Sequence, residues 1–177
     1  MNSKKLIKRY RIDDARDFRL SDHDPADTSD LEMDKEKAKT ILAQDIVRLE
    51  QLQELLYAQS QWAVLVIFQA MDAAGKDSAI KHVMSGINPQ GCEVHAFKQP
   101  TPEELDHDFL WRAATRLPAR GRIGIFNRSY YEEMLVVRVH PELLAKEKLP
   151  PELLKRHLWR KRFDGVNAFE RHLAKNG

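Results

Sequence analysis

The residues best suited by type and spacing to do chemistry fall in one stretch, Val64-Leu-Val-Ile-Phe-Gln-Ala-Met-Asp-Ala-Ala-Gly-Lys-Asp-Ser-Ala-Ile80. An apolar, β-branched run passes into a turn of small residues, then Gly75-Lys76, then helix-forming residues. A strand that delivers a helix N-terminus in this way suits an anion. Unpaired backbone N–H groups and the positive end of the helix dipole face the same point. Gly75 lets backbone approach a phosphate closely, and Lys76 adds a positive charge beside it. The stretch departs from the Walker A pattern G-x-x-x-x-G-K-[ST] in two places. Ala70 stands at the first glycine, and Asp77 follows the lysine, with Ser78 one step late. A plain βα turn is the competing reading, and the strand–turn–helix context favours a phosphate cradle made of Ala73, Ala74, Gly75, Lys76, Asp77 and Ser78. Asp72 would repel phosphate unless it holds Mg²⁺ or accepts a proton from a phosphorylated group. Asp77 also suits the first turn of a helix on electrostatic grounds alone.

Positioning such a loop takes a parallel sheet. Trp62 to Phe68 is nearly continuous apolar sequence, as a strand covered on both faces requires, and Cys92–Phe97 and Ile123–Phe126 are two further strands. Helices are predicted from Asp34 to about Gln59, Asp77 to about Ile87, Pro102 to about Leu117, Tyr130 to Val139 and Pro151 to about Lys175. The first repeats Ile41, Leu42, Ile46, Leu49, Leu52, Leu55 and Leu56 at three- and four-residue steps, with Ser29-x-x-Glu32 or Asp34 as its start. Pro102 with Glu103 and Glu104 marks the start of another. Strands alternating with helices give an α/β class with βαβ units.

Composition narrows the function classes. The chain has 177 residues, 42% hydrophobic and 32% charged, and 29 basic against 27 acidic residues net only +2. So small a net charge implies neither a disordered chain nor a nucleic-acid-binding one. One cysteine, Cys92, excludes an internal disulfide framework and fits a cytoplasmic protein. The longest apolar run, Ala63–Phe68, is too short to cross a membrane, and no apolar segment follows the N-terminal basic residues as in a secretory signal. The charge is uneven. Residues 1–30 hold seven basic and seven acidic residues and read, to residue 33, as an irregular arm; residues 145–177 hold nine basic and four acidic ones. His95, His107 and His140 share no metal-ligand spacing, and Trp62, Trp111 and Trp159 read as packing residues.

Four blocks together resemble the polyphosphate kinase 2 family: Ala70-Met-Asp-Ala-Ala-Gly-Lys-Asp-Ser78, Ser85-Gly-Ile-Asn-Pro-Gln-Gly91, Glu104-Leu-Asp-His-Asp-Phe-Leu-Trp-Arg112 and Gly121-Arg-Ile-Gly-Ile-Phe-Asn-Arg-Ser-Tyr-Tyr-Glu132. The likeness is nearest to the subgroup that phosphorylates AMP and ADP, and it runs from about Asp34 to the last residue. It implies a P-loop kinase-type three-layer α/β/α fold over 34–177. It also implies transfer of a phosphoryl group from inorganic polyphosphate to a nucleoside mono- or diphosphate, with Mg²⁺. Carried over position by position, it makes Asp72, Lys76 and Arg128 catalytic and gives Mg²⁺ to Asp72 and Asn127. Many members have Asp-Arg where this chain has Asn127-Arg128; the amide brings a carbonyl oxygen but no charge. Lys81 and Arg138 are wall charges for a polyphosphate channel in this reading, Arg112 and Arg122 weaker ones, and Tyr130 to Glu133 start a helix near the site.

The resemblance also implies a further strand, a basic lid and another strand beyond Gly177, so the fold is expected to be incomplete at its C-terminal side, as in a truncated member. Val64–Phe68 would then show an apolar edge, predicting a homo-oligomer, an unstable fragment or a second chain that completes the sheet. Three functions stay in view. They are the polyphosphate-dependent phosphotransferase, a non-catalytic member that binds polyphosphate, nucleotide or a partner chain, and an ATP-dependent P-loop small-molecule kinase. No nucleic acid or membrane partner is expected.

Overall fold

The protein is described by a computed structural model covering residues 3–24, 26–27, 34–154 and 157–177. Contacts divide the chain into two units, Met1–Thr40 and Ile41–Gly177. In the first, residues expected as part of an irregular arm form helix α1 (Ser3–Tyr10), from a run of good helix formers without glycine or proline. A 3₁₀ turn follows at Leu20–Asp22, Arg9 pairs with Asp27, and Phe18 stacks on His23 at 4.8 Å. The proposed cap residues Ser29 and Glu32 lie outside the described residues, whereas the Asp34 carboxylate accepts from the Lys37 N–H at 2.7 Å and starts helix α2 (Lys35–Gln59).

The buried stripe of α2 differs from the one the leucine spacing predicts. Leu42, Leu52 and Leu55 are exposed, Ile46, Leu49 and Leu56 are half-buried, and the one buried residue of the helix is Gln53. Gly91 makes this possible. A Cβ there would stand 1.7 Å from Gln53 Nε2, so glycine leaves the space the amide fills.

Strand β1 (Val64–Phe68) follows, then helix α3 (Lys76–Val83), strand β2 (Cys92–Ala96), and helices α4 (Pro102–Asp106) and α5 (Trp111–Ala114). Strand β3 (Ile123–Asn127), α6 (Glu132–Val139), α7 (Pro141–Leu144) and α8 (Leu158–Asn176) complete the order. The single helix expected from Pro102 to Leu117 is two. Thr101 and Glu104 form a reciprocal capping box at the start of α4, but His107 is extended and the Asp108 carboxylate takes the Leu110 N–H at 3.0 Å. That side-chain bond starts a second turn instead of continuing the first helix.

The sheet is parallel in the order β1-β3-β2, with Val64 opposite Ile123 and Cys92 also opposite Ile123. Period-2 alternation separates two cores. Leu65, Ile67 and Phe126 face α5, α6 and α8 through Ala113, Tyr130, Met134 and Val166. Val66, Phe68, Ile123 and Ile125 face the opposite side, toward Leu56, Ile80 and Met84 of α2 and α3. Helices thus cover both faces, the expected three layers. β3 is central and buried, and among the described residues β1 and β2 are the edges. β1 shows an outer edge as predicted. Beside it lies an apolar groove of ≈ 520 Å³ lined by Leu65, Ile67, Leu117 and Leu173, and the Ala63 N–H donates to the Gly177 carbonyl at 2.9 Å. Trp62, expected as packing, is exposed. Among the described residues no helix is long and apolar enough to cross a membrane.

Candidate phosphate-binding site

Parallel strands carry their C-terminal ends to one rim, so the residues that follow β1, β2 and β3 meet there. After β1 the chain turns through Gln69 to Gly75 and enters α3 at Lys76. Two residues of this turn are left-handed, Ala73 at φ 61° and Gly75 at φ 85°. An added Cβ on Gly75 would meet nothing within 4 Å, so glycine answers the backbone angle and leaves open space above the helix start. Ala73, Ala74, Asp77 and Ser78 are all exposed around it.

The cations of the site rest on protein acceptors. Lys76 Nζ donates to the carbonyls of Ala70 and Met71, both at 2.8 Å. Arg128, directly after β3, has φ 63°, and its N–H donates to the Phe68 carbonyl at 3.0 Å, locking the two strand ends together. Its guanidinium pairs with Asp72 across the rim and approaches Glu132 at 3.5 Å. Asn127 Nδ2 donates to the Asp77 carboxylate at 2.6 Å, which joins the end of β3 to the first turn of α3. Asp72, Lys76, Asp77, Asn127 and Arg128 therefore form one constellation.

Sequence reasoning set Glu132 at a helix start near the site but left out Gln69, which ties it there. Glu132 accepts from Gln69 Nε2 at 2.5 Å, and Ser129 Oγ donates to Gln69 Oε1 at 3.2 Å. Gln69, the first residue after β1, thereby fixes the first turn of α6 beside Arg128. Tyr130 and Tyr131 both donate to Glu170 of α8; burial, then that carboxylate, pushes both hydroxyl pKa values up. The Ser129-x-x-Glu132 spacing is a short-range signal for a structured turn, but the partner Gln69 is 63 positions from Glu132.

The wall charges sort differently. Lys81 is exposed on α3, one turn past the cradle. Arg138 sits in the last turn of α6 with its guanidinium 5.9 Å from the Phe163 ring, away from the rim. Arg122 pairs with Glu93 at 3.0 Å, and Arg112 lies over the Phe97 ring while donating to the Lys98 carbonyl at 2.7 Å. Beside the loop, a cleft of ≈ 310 Å³ opens between the C-terminal ends of β2 and β3; Phe97, Lys98, Arg112, Arg128 and Glu132 are among its lining.

The loop offers a hard cation two carboxylates, Asp72 and Asp77, and the Asn127 side-chain oxygen left over from its bond to Asp77. Asp72 is 82% exposed at its side chain. Among the described residues no cluster of three or more His, Cys, Asp or Glu is placed to hold a metal. Such a donor set fits Mg²⁺, which keeps waters and takes one or two carboxylates plus phosphate oxygens.

A family model described as Polyphosphate kinase 2 matches residues 32–177. The chain is 56% identical over 144 residues to the ADP-polyphosphate phosphotransferase of Rhodopseudomonas palustris, covering 81% of this chain and 50% of that protein. It is 45% identical over 171 residues to the AMP/ADP-polyphosphate phosphotransferase of Meiothermus ruber, covering 97% and 60%. The crystal structure of polyphosphate kinase 2 from Arthrobacter aurescens superposes with a TM-score of 0.80 at 38% identity, over 91% of this chain and 54% of that one. The chain thus spans about half to three fifths of the length of these relatives.

Proposed function

The chain belongs to the polyphosphate kinase 2 family, and from that premise we propose that its loop and cleft serve polyphosphate-dependent phosphorylation of AMP or ADP, with Mg²⁺, in the cytoplasm. The observation that carries this reading is a loop kept open by Gly75 in which Lys76 bonds the Ala70 and Met71 carbonyls while Arg128 pairs with Asp72 across the rim. Relatives named as ADP- and AMP/ADP-polyphosphate phosphotransferases support the choice of donor and acceptor.

An anionic oxygen of the acceptor phosphate attacks the terminal phosphorus of polyphosphate. The bond to the next phosphate breaks, and a chain one unit shorter leaves with the electron pair. The attacking oxygen is already anionic, so no strong general base is needed. What the protein supplies is position and positive charge. Lys76 and the loop N–H groups hold donor oxygens, and Arg128 offers paired donors across the donor–acceptor junction. Glu132 and Gln69 keep Arg128 in place. The cleft lined by Phe97, Lys98 and Arg112 takes the acceptor. When bound, Mg²⁺ offsets phosphate charge, held by Asp72 with Asn127. A homo-oligomer that covers the outer edge of β1 belongs to the same reading.

Purified chain with Mg²⁺, AMP or ADP, and either polyphosphate or ATP as donor tests it. Product with polyphosphate alone is expected, lost in Lys76→Ala and Asp72→Asn. Near-normal rates in both variants would sink the assignment. Transfer from ATP only would favour a small-molecule kinase, and polyanion binding without transfer a non-catalytic member.

A further inference from the structure

Arg128 stands in a conformation that its surroundings must enforce. Its φ of 63° is left-handed, a region that a long side chain keeps only where neighbouring contacts over-determine it. Toward β1, the Arg128 N–H bonds the Phe68 carbonyl and Ser129 Oγ bonds Gln69 Oε1. These contacts hold one side of the turn 128–132. A second hold, on the side away from β1, is needed to stop the turn rolling about that edge.

The two residues after Ser129 supply it. Tyr130 is 2% exposed and Tyr131 half-buried, and both hydroxyls donate to one oxygen, Glu170 Oε1 of α8, that of Tyr130 at 2.9 Å. Packing alone does not call for this carboxylate. The Tyr130 ring already meets the Phe169 ring edge-on at 5.7 Å, and phenylalanine would fill the same space with no hydroxyl to bury. Burial, then Glu170, makes both hydroxyls harder to ionise, so both stay donors. From there the bonds run on to Arg128. The Tyr131 N–H donates to Ser129 Oγ at 3.1 Å, Ser129 Oγ to Gln69 at 3.2 Å, Gln69 Nε2 to Glu132 at 2.5 Å, and Arg128 approaches Glu132 at 3.5 Å.

We propose that Glu170 is a positioning residue for Arg128: by taking both tyrosine hydroxyls it pins the turn 128–132 to α8 and holds the guanidinium at the rim. The reaction that Arg128 serves rests on the phosphotransferase reading; the pinning does not. Glu170 lines the groove beside β1 and not the cleft, so it acts through the turn and not by touching an acceptor. A helix remote in sequence from the phosphate loop thereby has a part in the site.

Affinity for tripolyphosphate, measured by calorimetry with Mg²⁺, reads the placement of Arg128 without requiring turnover. Glu170→Ala is expected to weaken it about tenfold, within the range for residues coupled through shared bonds. Glu170→Gln keeps an oxygen that accepts from both hydroxyls and is expected within about threefold of wild type. The deciding comparison is made in Arg128→Ala, where adding Glu170→Ala is expected to cost less than about twofold, because no guanidinium is left to position. A tenfold loss retained in Arg128→Ala marks a general structural role and overturns the proposal, as does wild-type affinity in Glu170→Ala. Should circular dichroism show Glu170→Ala unfolded, the chain carrying both Tyr130→Phe and Tyr131→Phe replaces it, with the same expectations. In the transfer assay, Glu170→Ala is expected to lower turnover while KM for ADP stays within about threefold. A raised KM with unchanged turnover would make Glu170 a determinant of acceptor binding and overturns the proposal. Absence of transfer in wild type, with the binding pattern intact, defeats the phosphotransferase reading and supports the pinning alone. Wild type that neither binds nor transfers phosphate overturns both.

Discussion

Replacing Arg162 of α8 by methionine removes the cation that faces Glu133 and Glu147 while keeping an unbranched apolar stem in its place. Arg162 is 4% exposed, bonds both Glu147 oxygens and the Glu133 carbonyl, and lies 4.9 Å from the Phe109 ring and 5.4 Å from that of Trp159. Its loss leaves Glu147 in a site 12% open to water without its bidentate partner. Truncating one member of such a buried pair costs about 3–5 kcal/mol. The cost must also depend on pH. Arg162 holds the Glu133 carboxyl down, against burial and Glu147, which push it up. Without Arg162 the folded state keeps that proton to higher pH. A carboxyl raised on folding contributes stability that is complete below its unfolded value and drains as pH rises through its folded value. The variant should therefore lose more, relative to wild type, at pH 8 than at pH 6. Urea denaturation at both pH values measures the difference. Adding Glu147→Met should restore much of the loss, since an apolar replacement of the whole pair leaves no orphan charge. A single-variant cost below about 1 kcal/mol, or an equal cost at both pH values, would refute this account of the buried Arg162–Glu147 pair.

Glu133→Gln should flatten the wild-type decline in stability between about pH 4.5 and 7, on the order of 3 kcal/mol for a shift of this size, as read by denaturation across that window. Gly91→Ala would drive a Cβ to 1.7 Å from Gln53 Nε2 and 2.8 Å from its Cδ, and should cost about 1–3 kcal/mol by thermal melting; a neutral result would mean that α2 shifts freely. Arg128→Ala should lower polyphosphate-dependent turnover by roughly 10²–10³-fold, the scale for one lost electrostatic donor, with far-ultraviolet circular dichroism unchanged.

The order of strands and helices was legible because β1 and β3 carry near-continuous apolar runs and the loop after β1 has its own small-residue signature. The loop residues Asp72, Lys76, Asn127 and Arg128 were legible for the same reason, one motif at the end of each of two adjacent strands. The break between α4 and α5 was not. Asp108 changes the path with a single side-chain bond to a backbone N–H, which the apolar spacing does not register. Nor was the inward face of α2, where a missing side chain at Gly91 puts a glutamine in the core instead of a leucine. The acidic cluster is the extreme case. Glu133, Glu147 and Arg162 come from three elements, and Glu133 read alone is one of two acids in a helix's first turn. Only folding turns it into a buried acid.

The same distinction between charge counted and charge placed governs the loop. A net +2 spread over 177 residues gives no measure of affinity for a polyanion. At the loop, Lys76 already gives two bonds to backbone carbonyls, and Arg128 already faces Asp72 and Glu132. Binding phosphate there is an exchange of partners, in which the gain is the difference between a phosphate oxygen and the acceptor it displaces. For Lys76 the displaced acceptors are neutral carbonyls, so the exchange favours phosphate. For Arg128 the displaced acceptor is the Asp72 carboxylate, which is then left with an uncompensated charge. In the proposed function, a divalent cation arriving with the phosphate would remove that penalty by taking Asp72 as a ligand. On that proposal the ion pair between Arg128 and Asp72 would couple anion and cation binding: neither residue exchanges its partner cheaply unless the other is offered one too.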